Sequence, residues 1–285
     1  MLPEFNLLMP KTLPEALEML ADGAPDVMPL AGGTNLIPDM RGGYHSPGVV
    51  VNIAGLEELH GIRQEDGHIV IGGGVTIAEL LDDPLITQHA PVLKEAAAAF
   101  GNALIRNRAT VGGNLVDAAP CADTVPPLLA LNAEVELVSK EGARRVPLEE
   151  FIVGARQTLR QPQELLVAIR WPVPPPHSAG AFRKLGLRKA ACMAKVDVAV
   201  VVEGDAGGRC RQARIAMGAV APRHFRAHAA EDLLRDQPLT PETIAEAARL
   251  AAEASRPRSG SEYKLQVVEG LVRRLLTRAA GSICE

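Results

Sequence analysis

The apolar positions in the first part of the chain form short runs separated by polar and turn residues. Such runs occur at residues 5–8, 28–31, 49–53 and 68–71. Runs of this length predict strands that are buried on at least one face. A helix is predicted at 12–20, where a capping threonine, an early proline and a glutamate precede apolar positions at helical spacing. Strand, helix, strand and a glycine segment in this order are typical of an α/β fold.

The middle of the chain continues this mixture. An apolar run at 75–80 enters a helix, and the alanine-rich residues 91–100 predict another. A third helix is predicted at 125–131. Apolar and polar residues alternate at 133–138, as in a half-buried strand, and residues 164–170 form a further β-branched and aliphatic run.

Four prolines between residues 172 and 176 interrupt the pattern. Proline donates no backbone hydrogen bond, so this stretch cannot continue a ladder and predicts a linker. Beyond it we expect a hairpin of two strands and then three helices. The predicted ranges are 197–202, 210–217, 227–234, 240–254 and 261–278. The pattern therefore predicts an α+β protein with an α/β N-terminal part, divided into domains 1–173 and 177–282.

Two glycine pairs stand in similar settings, AGGTNL at residues 31–36 and TVGGNL at residues 110–115. A glycine pair allows positive φ and close approach of a ligand, so that consecutive N–H groups can converge on an anion. An ordinary turn also explains either pair, and we interpret the glycines at 72–74 that way. Together the two pairs predict loops that hold a pyrophosphate. Neither matches the Rossmann or NTPase pattern.

Composition and charge exclude several classes of function. The net charge is −4, so no sequence-wide basic field favours nucleic acid or an acidic membrane. The four cysteines, Cys121, Cys192, Cys210 and Cys284, include no CxxC pair, which argues against a zinc or iron–sulfur site in this chain. We interpret them as thiols of a reducing compartment. The N-terminal segment lacks signal-peptide character, and a cytoplasmic location is expected.

Charged residues flank the second glycine pair, and each has two interpretations. Arg106 and Arg108 either neutralise an anionic ligand or hold the loop by donating to carbonyl groups. Asp117 and Asp123 precede a predicted helix, where a carboxylate usually caps the first turn. The alternative is acceptance of a hydrogen bond from a ribose or ribityl hydroxyl, for which Asp123 is the better placed.

Three motifs carry a resemblance to a known family: AGGTNL at 31–36, IRNRATVGGNLVDAAPCAD at 105–123 and PPLLAL at 126–131. Nearly end to end, the chain resembles the FAD-binding medium subunit of the molybdenum hydroxylases, which include xanthine and carbon monoxide dehydrogenases. The resemblance implies a two-subdomain FAD-binding domain of the PCMH/VAO-like type. A smaller α+β domain of the CO dehydrogenase flavoprotein type would follow it.

The resemblance also implies the cofactor-binding residues. The pyrophosphate of FAD would lie between the two glycine segments, with Phe100 and Asp123 contacting the cofactor and Leu166 in the last strand of the flavin domain. Lys184 would contact FAD from the C-terminal domain, or Arg183 if the alignment shifts by one residue. The full predicted set is Pro29, Leu30, Ala31, Gly32, Gly33, Thr34, Asn35, Leu36, Phe100, Thr110, Val111, Gly112, Gly113, Asn114, Asp123, Leu166 and Lys184.

By the same resemblance, the chain is one part of an electron-transfer complex. FAD would be noncovalent because residues 31–36 contain no histidine or cysteine, with Cys121 the nearby thiol that could approach the flavin. The molybdenum cofactor and two [2Fe–2S] clusters would lie on large and small partner subunits, in a dimer of heterotrimers. Electrons would leave through FAD to NAD⁺, a quinone or oxygen. We assign this chain no catalytic acid or base and no metal site.

Two other hypotheses fit the same residues. The chain could be a self-sufficient FAD-dependent oxidoreductase with its own substrate pocket. Alternatively, it could be an assembly protein that FAD merely stabilises. The self-sufficient oxidoreductase predicts turnover by the chain alone, whereas the assembly protein predicts that the redox state of the flavin is irrelevant to the complex.

Overall fold

In the computed structural model, which describes residues 1–188, 190–205 and 207–283, the chain begins with a small parallel sheet. Its elements are β1 (Asn6–Leu8), α1 (Leu13–Gly23), β2 (Val27–Leu30), α2 (Leu36–Arg41) and β3 (Val49–Asn52). β3 lies between β1 and β2 and is parallel to both. The apolar face of α1 packs against this sheet and buries Leu17 and Leu20. This packing fixes the point at which the chain leaves β2 and enters the first glycine segment.

The second subdomain is an antiparallel sheet covered by short helices. After a 3₁₀ turn at Glu57–Leu59, its elements are β4 (Ile62–Glu65), β5 (His68–Gly72), α3 (Glu79–Asp82), α4 (Pro84–His89), α5 (Pro91–Ala99), α6 (Ala103–Arg106), α7 (Val111–Asp117), α8 (Val125–Ala130), β6 (Glu134–Ser139), β7 (Gly142–Pro147), α9 (Leu148–Phe151), β8 (Ile152–Gly154), β9 (Gln157–Thr158) and β10 (Leu165–Pro172). The strand order of the main sheet is β4-β5-β10-β6-β7. β10, the last strand of this subdomain along the chain, therefore lies in the centre of the sheet. Its Trp171 is fully buried in the largest apolar core.

The C-terminal part is a second antiparallel sheet with helices on one face. Its elements are β11 (Ser178–Leu185), β12 (Val196–Gly204), β13 (Arg209–Gly218), β14 (Phe225–Arg226), α10 (His228–Leu234), β15 (Gln237–Pro238), α11 (Pro241–Ala254) and α12 (Tyr263–Ile283). The order is β11-β12-β13-β14, with β15 also paired to β13. Alternate residues of β12, from Val196 to Val202, pack under the helices.

The opposite face of this C-terminal sheet packs against the N-terminal half. α5 contacts β11, and α8 contacts β12 and β13. Phe182, Ala199, Val201 and Ala216 consequently belong to the same apolar core as Trp171 of the second subdomain. Asp197, a polar residue on this face of the C-terminal sheet, is completely buried at the junction of the two halves.

Several expectations from the sequence are confirmed, and some are wrong. The predicted hairpin is present, with Val198 opposite Met217 in the β12–β13 ladder. The predicted turn between these strands includes Ala206, which lies outside the described residues, as does Cys284. The strand that ends at Pro172 runs one residue into the proline segment, because Pro172 pairs with His68 at the end of the sheet. Three cysteines, Cys121, Cys192 and Cys210, are free thiols.

Candidate functional site

The first glycine segment forms one wall of a cavity of about 560 Å³ between the two N-terminal subdomains. A Cβ atom at Gly32 would lie 1.7 Å from the carbonyl oxygen of Arg108, so no side chain fits where the segment crosses the chain before α7. Gly33 then takes φ +71°, a conformation that other residues rarely adopt. These two glycines bring residues 32–35 against the chain that carries the second glycine pair.

The backbone N–H groups of residues 32–35 are free. Among the described residues, none of these four amides has a hydrogen-bond partner, while the carbonyl groups of Gly33 and Asn35 accept bonds from α2. All four residues line the cavity. Successive unpaired amides on a glycine-containing segment form a concave surface that favours an anion. The first glycine segment therefore has the free backbone donors that the predicted binding of a pyrophosphate requires.

The second glycine pair is not a loop, and that expectation is wrong. Gly112 and Gly113 lie in the first turn of α7, and the Thr110 side chain caps this helix by accepting from the Gly113 amide at 3.1 Å. The Val111 and Gly112 amides donate to the carbonyl groups of Val75 and Gly73. Because the protein itself uses the amides of Val111, Gly112 and Gly113, these three donors are not available to a ligand in the cavity.

A polar network that the sequence did not predict joins the first glycine segment to α7. The Asn35 side-chain amide donates to the Asp117 carboxylate at 2.8 Å. Arg156 bridges Asp39 and Asp117, with nitrogen–oxygen distances of 2.6 and 3.3 Å. Asp117 therefore holds partner side chains and is not a helix cap. Arg156 and Arg160 both line the cavity and give it two cations.

No short sequence motif marks these two arginines. They come from the β8–β9 region, about 40 residues beyond α7, and only the fold brings them to the glycine segments. Their special settings are visible only in the structure. Arg156 has positive φ. Arg160 is half-buried and donates to the carbonyl groups of Gln161, Pro162 and Glu164. Burial lowers the pKa of Arg160 from its ordinary value.

A second cavity of about 460 Å³ continues from the first toward the C-terminal sheet. Phe100 and Asn114 line both cavities, so the two form one cleft. Asp123 lines the second cavity and accepts a hydrogen bond from the Lys184 ammonium group at 2.6 Å. Burial raises the pKa of Asp123 to about 6, although Lys184 opposes this shift.

The helix-cap interpretation of Asp123 is wrong. Thr124 is the N-cap residue of α8, and no side chain makes a capping hydrogen bond there. One carboxylate oxygen of Asp123 bonds Lys184, and the other is buried without a partner in the described part of the chain. That second oxygen can accept a hydrogen bond from a ligand hydroxyl.

The structure places most of the predicted residues around the cleft. Those that line the first cavity are Pro29, Ala31, Gly32, Gly33, Thr34, Asn35, Leu36, Phe100, Thr110, Gly112, Gly113, Asn114 and Leu166. Leu30 and Val111 do not line it. The Leu30 side chain packs against Gly33, and Val111 is fully buried. Lys184 reaches the cleft through its ion pair with Asp123. Arg183, the alternative to Lys184, is exposed on the other side of β11.

Of the remaining candidates near the second glycine pair, Arg106 has a structural role. Arg106 donates to the carbonyl oxygen of Phe100 at 3.0 Å, and Arg108 lines neither cavity. Cys121 lines the second cavity, but burial, together with the nearby Asp197 and Asp123, raises the pKa of its thiol. A protonated thiol is a poor nucleophile, which argues against covalent attachment of a ligand there.

Two further findings concern metal ions and membranes. Within the part of the chain that the structure describes, no group of three or more histidine, cysteine, aspartate or glutamate residues is arranged to hold a metal ion. None of the described helices combines the length and the apolar character needed to cross a bilayer.

The sequence and the fold match known proteins over almost their full length. Residues 3–174 match the FAD-binding domain of molybdopterin dehydrogenases, and residues 180–279 match the C-terminal domain of CO dehydrogenase flavoproteins. The 6-hydroxypseudooxynicotine dehydrogenase complex subunit alpha of Paenarthrobacter nicotinovorans is 34% identical over 97% of this chain and 95% of its own. The carbon monoxide dehydrogenase medium chain of Afipia carboxidovorans is 34% identical, with 96% of both chains covered.

A solved structure agrees with these matches. Carbon monoxide dehydrogenase from Hydrogenophaga pseudoflava, in a form lacking the Mo-pyranopterin moiety, superposes with a TM-score of 0.95 at 32% identity, and all of both chains is covered. The mixed helix and strand architecture is therefore that of a CO dehydrogenase FAD subunit. This chain belongs to the family of FAD-binding medium subunits of the molybdenum-containing dehydrogenases.

Proposed function

We propose that this chain binds FAD noncovalently in the cleft and serves as the electron-transfer flavin subunit of a molybdenum hydroxylase complex. The observation that carries the proposal is the row of free amides at residues 32–35, opposite α7 in a cleft with two arginines. Such a surface complements the two negative charges of a pyrophosphate. When bound, FAD supplies the conversion between one-electron and two-electron transfer.

Each part of the cleft has a distinct role in this proposal. The amides of residues 32–35 and the Arg156 guanidinium group would hold the pyrophosphate. Phe100 and Leu166 would give the flavin ring apolar contacts. Asp123 would accept a hydrogen bond from a cofactor hydroxyl through its unpartnered oxygen, while Lys184 keeps the other oxygen in place.

The proposed partners follow from the family. We propose a small [2Fe–2S] subunit and a large molybdenum subunit, assembled as a dimer of heterotrimers in the cytoplasm. NAD⁺, a quinone or oxygen would be the acceptor. FAD binding would belong to residues 1–173, and residues 177–282 would close the cleft from the C-terminal side. The names of the relatives, which are dehydrogenase subunits, support this proposal.

We expect Gly113→Val to lower FAD affinity at least tenfold while the fold persists. Gly113 lines the cavity, and a Cβ atom there would meet only the Thr110 hydroxyl, at 2.8 Å. The position is helical, so the effect is steric and involves no positive φ. FAD titration followed by flavin fluorescence measures the loss, and circular dichroism checks the fold. Gly113→Ala, whose side chain has two fewer carbon atoms than that of valine, should lose less. Equal affinity in both variants and the wild type would remove α7 from the binding site.

The test of electron transfer from the partner subunits to FAD compares the lone chain with the complex under anaerobic conditions. We expect the purified chain to bind FAD, to contain no molybdenum or iron, and to show no flavin reduction on addition of purines, aldehydes or N-heterocycles. Flavin absorbance should fall only after the small and large subunits are added. Rapid bleaching of the lone chain by an organic substrate would favour the self-sufficient oxidoreductase. A complex that turns over equally well without a redox-active flavin would favour the assembly protein.

A further inference from the structure

Lys184 lies between two buried carboxyl groups, of which only one forms an ion pair with it. Its side chain is 5% exposed and bonds Asp123 at 2.6 Å. Its direct partner in the β11–β12 ladder is Asp197, which is completely buried. Directly opposed residues on adjacent strands project to the same side of the sheet, with Cβ atoms about 5 Å apart. Asp197 is thus the nearest alternative anion for Lys184.

Asp197 has no hydrogen-bond partner for either carboxyl oxygen among the described side chains and backbone groups. On its other side, Asp197 pairs with Gly218 of β13. A Cβ atom at Gly218 would lie 2.3 Å from an Asp197 oxygen and 2.9 Å from Nε2 of His224, so the missing side chain makes room for both groups. His224 is also buried, and burial lowers its pKa to about 3.

The charges of this cluster do not balance unless one carboxyl group is protonated. Two ionised carboxylates and one ammonium group would leave an excess negative charge in a buried site, which is strongly unfavourable. His224 cannot compensate, because it is neutral. Asp123 has the short contact with Lys184, so the proton belongs on Asp197. Burial and the Asp123 carboxylate accordingly raise the pKa of Asp197 well above its usual range.

The other cations near Asp197 form no ion pair with it among the described residues. Burial lowers the pKa of Lys264 of α12, as do the nearby Lys195 and Arg258, while Asp197 opposes this shift. The Lys264 ammonium group donates instead to the carbonyl oxygen of Ala219 at 2.6 Å. Cys121 faces the cluster from the chain before α8 as a neutral thiol. Lys184 therefore remains the one cation placed between Asp123 and Asp197 in the described structure, and the two acids compete for it.

We propose that Asp197 is a positioning residue that serves as the reserve counterion of Lys184. Whenever Asp123 lacks a charge, Asp197 carries it and pairs with the ammonium group. In the wild type the proton passes from Asp197 to Asp123, which leaves the buried charge unchanged and takes no proton from solvent. Lys184 then stays charged and in place at the cleft. The functional part of this inference rests on the proposed binding of FAD beside Asp123.

FAD affinity at pH 8 tests the role of Asp197. In Asp123→Asn, Asp197 ionises and keeps Lys184 paired, so the loss should be that of one hydrogen bond, about tenfold. In Asp197→Asn, which keeps the size of a protonated carboxyl group, Asp123 still pairs with Lys184, and the loss should be smaller. Asp22→Asn, at an exposed position of α1, removes one carboxylate as Asp123→Asn does and should leave affinity unaltered.

Carboxyl ¹³C NMR of the aspartate-labelled protein without FAD tests the protonation itself. The resonance that disappears in Asp197→Asn should be that of a neutral acid at neutral pH in the wild type. In Asp123→Asn the same resonance should move to the ionised position. The double variant with both Asp123→Asn and Asp197→Asn should lose far more FAD affinity than the two single losses combined, since Lys184 then has no carboxylate partner.

These outcomes separate the two proposals. Wild-type protein that binds no FAD would overturn the proposed function, while the NMR experiment would still decide the state of Asp197. An Asp197 resonance that is ionised in the wild type, or unchanged in Asp123→Asn, overturns the reserve-counterion role. So does a double variant whose loss of FAD affinity is only the product of the two single losses.

Discussion

Gly32→Ala is expected to abolish stable FAD binding, because a single methyl group would separate the two walls of the cleft. The new Cβ atom would lie 1.7 Å from the Arg108 carbonyl oxygen and 3.2 Å from the Ala109 amide nitrogen. Both are backbone atoms, so no side-chain rotation relieves the clash. The segment 32–35 would have to move away from α7, and its free amides would no longer face the cavity. Overpacking of this kind also costs about 1–3 kcal/mol of stability.

The measurement is the FAD content of the purified variant, followed by titration with FAD and thermal unfolding. Gly55→Ala is the matched control, because a Cβ atom at this exposed glycine would meet nothing within 4 Å and its φ is not positive. The control should retain full FAD content. Retention of stoichiometric FAD by Gly32→Ala would show that the first glycine segment does not hold the cofactor.

Lys184→Met should destabilise the protein by about 3 kcal/mol at pH 8, since removal of one partner leaves buried acids without a cation. The loss should depend on pH. A carboxyl group whose pKa is raised by folding makes the folded state less stable as pH rises toward that pKa. In the wild type this decline ends at the Asp123 pKa of about 6. Without Lys184 the pKa rises further, so the difference between variant and wild type grows above pH 6.

Urea unfolding near pH 5 and near pH 8 checks this prediction, and each pH unit above 6 should add about 1.4 kcal/mol to the difference. Lys11→Met, at an exposed position before α1, is the control for loss of a lysine charge and should show no such pH dependence. A Lys184→Met deficit that is equal at both pH values would mean that Lys184 contributes packing and not charge. FAD affinity of the same variant reports separately on the site.

Local sequence determined the elements and the location of the ligand segment. Helix starts such as Thr12 and Thr240 cap their helices through side-chain oxygens, as their sequence context predicted. At α1, however, Glu15 bonds the Lys11 amide instead of completing a capping box. The first glycine pair was predicted to lie in a loop whose amides face an anion, and in the structure the amides of residues 32–35 are free of partners in the described chain. Gly33 takes positive φ there, a conformation that glycine allows.

The second glycine pair shows the limit of that reasoning. Glycine permits a turn, but it also permits two backbones to pack closely, and residue type does not distinguish the two. At Gly112 a Cβ atom would lie 2.6 Å from the Gly73 carbonyl oxygen, a constraint set by a segment almost 40 residues earlier. The third glycine cluster, interpreted as a turn, does contain the Val75-to-Gly72 turn hydrogen bond, and it also packs against α7.

The sequence by itself determined that this chain has an α/β beginning, an α+β end and a glycine segment with unpaired donors, because these depend on local propensity and backbone freedom. Only the tertiary structure decided which charges meet. Arg156 joins Asp39 and Asp117 across 117 and 39 residues of chain, and Lys184 reaches Asp123 over a separation of 61 residues. Strand register places Asp197 beside that pair. Burial then sets the protonation of these groups, since desolvation depends on the neighbours that the fold assembles and not on the residues adjacent in sequence.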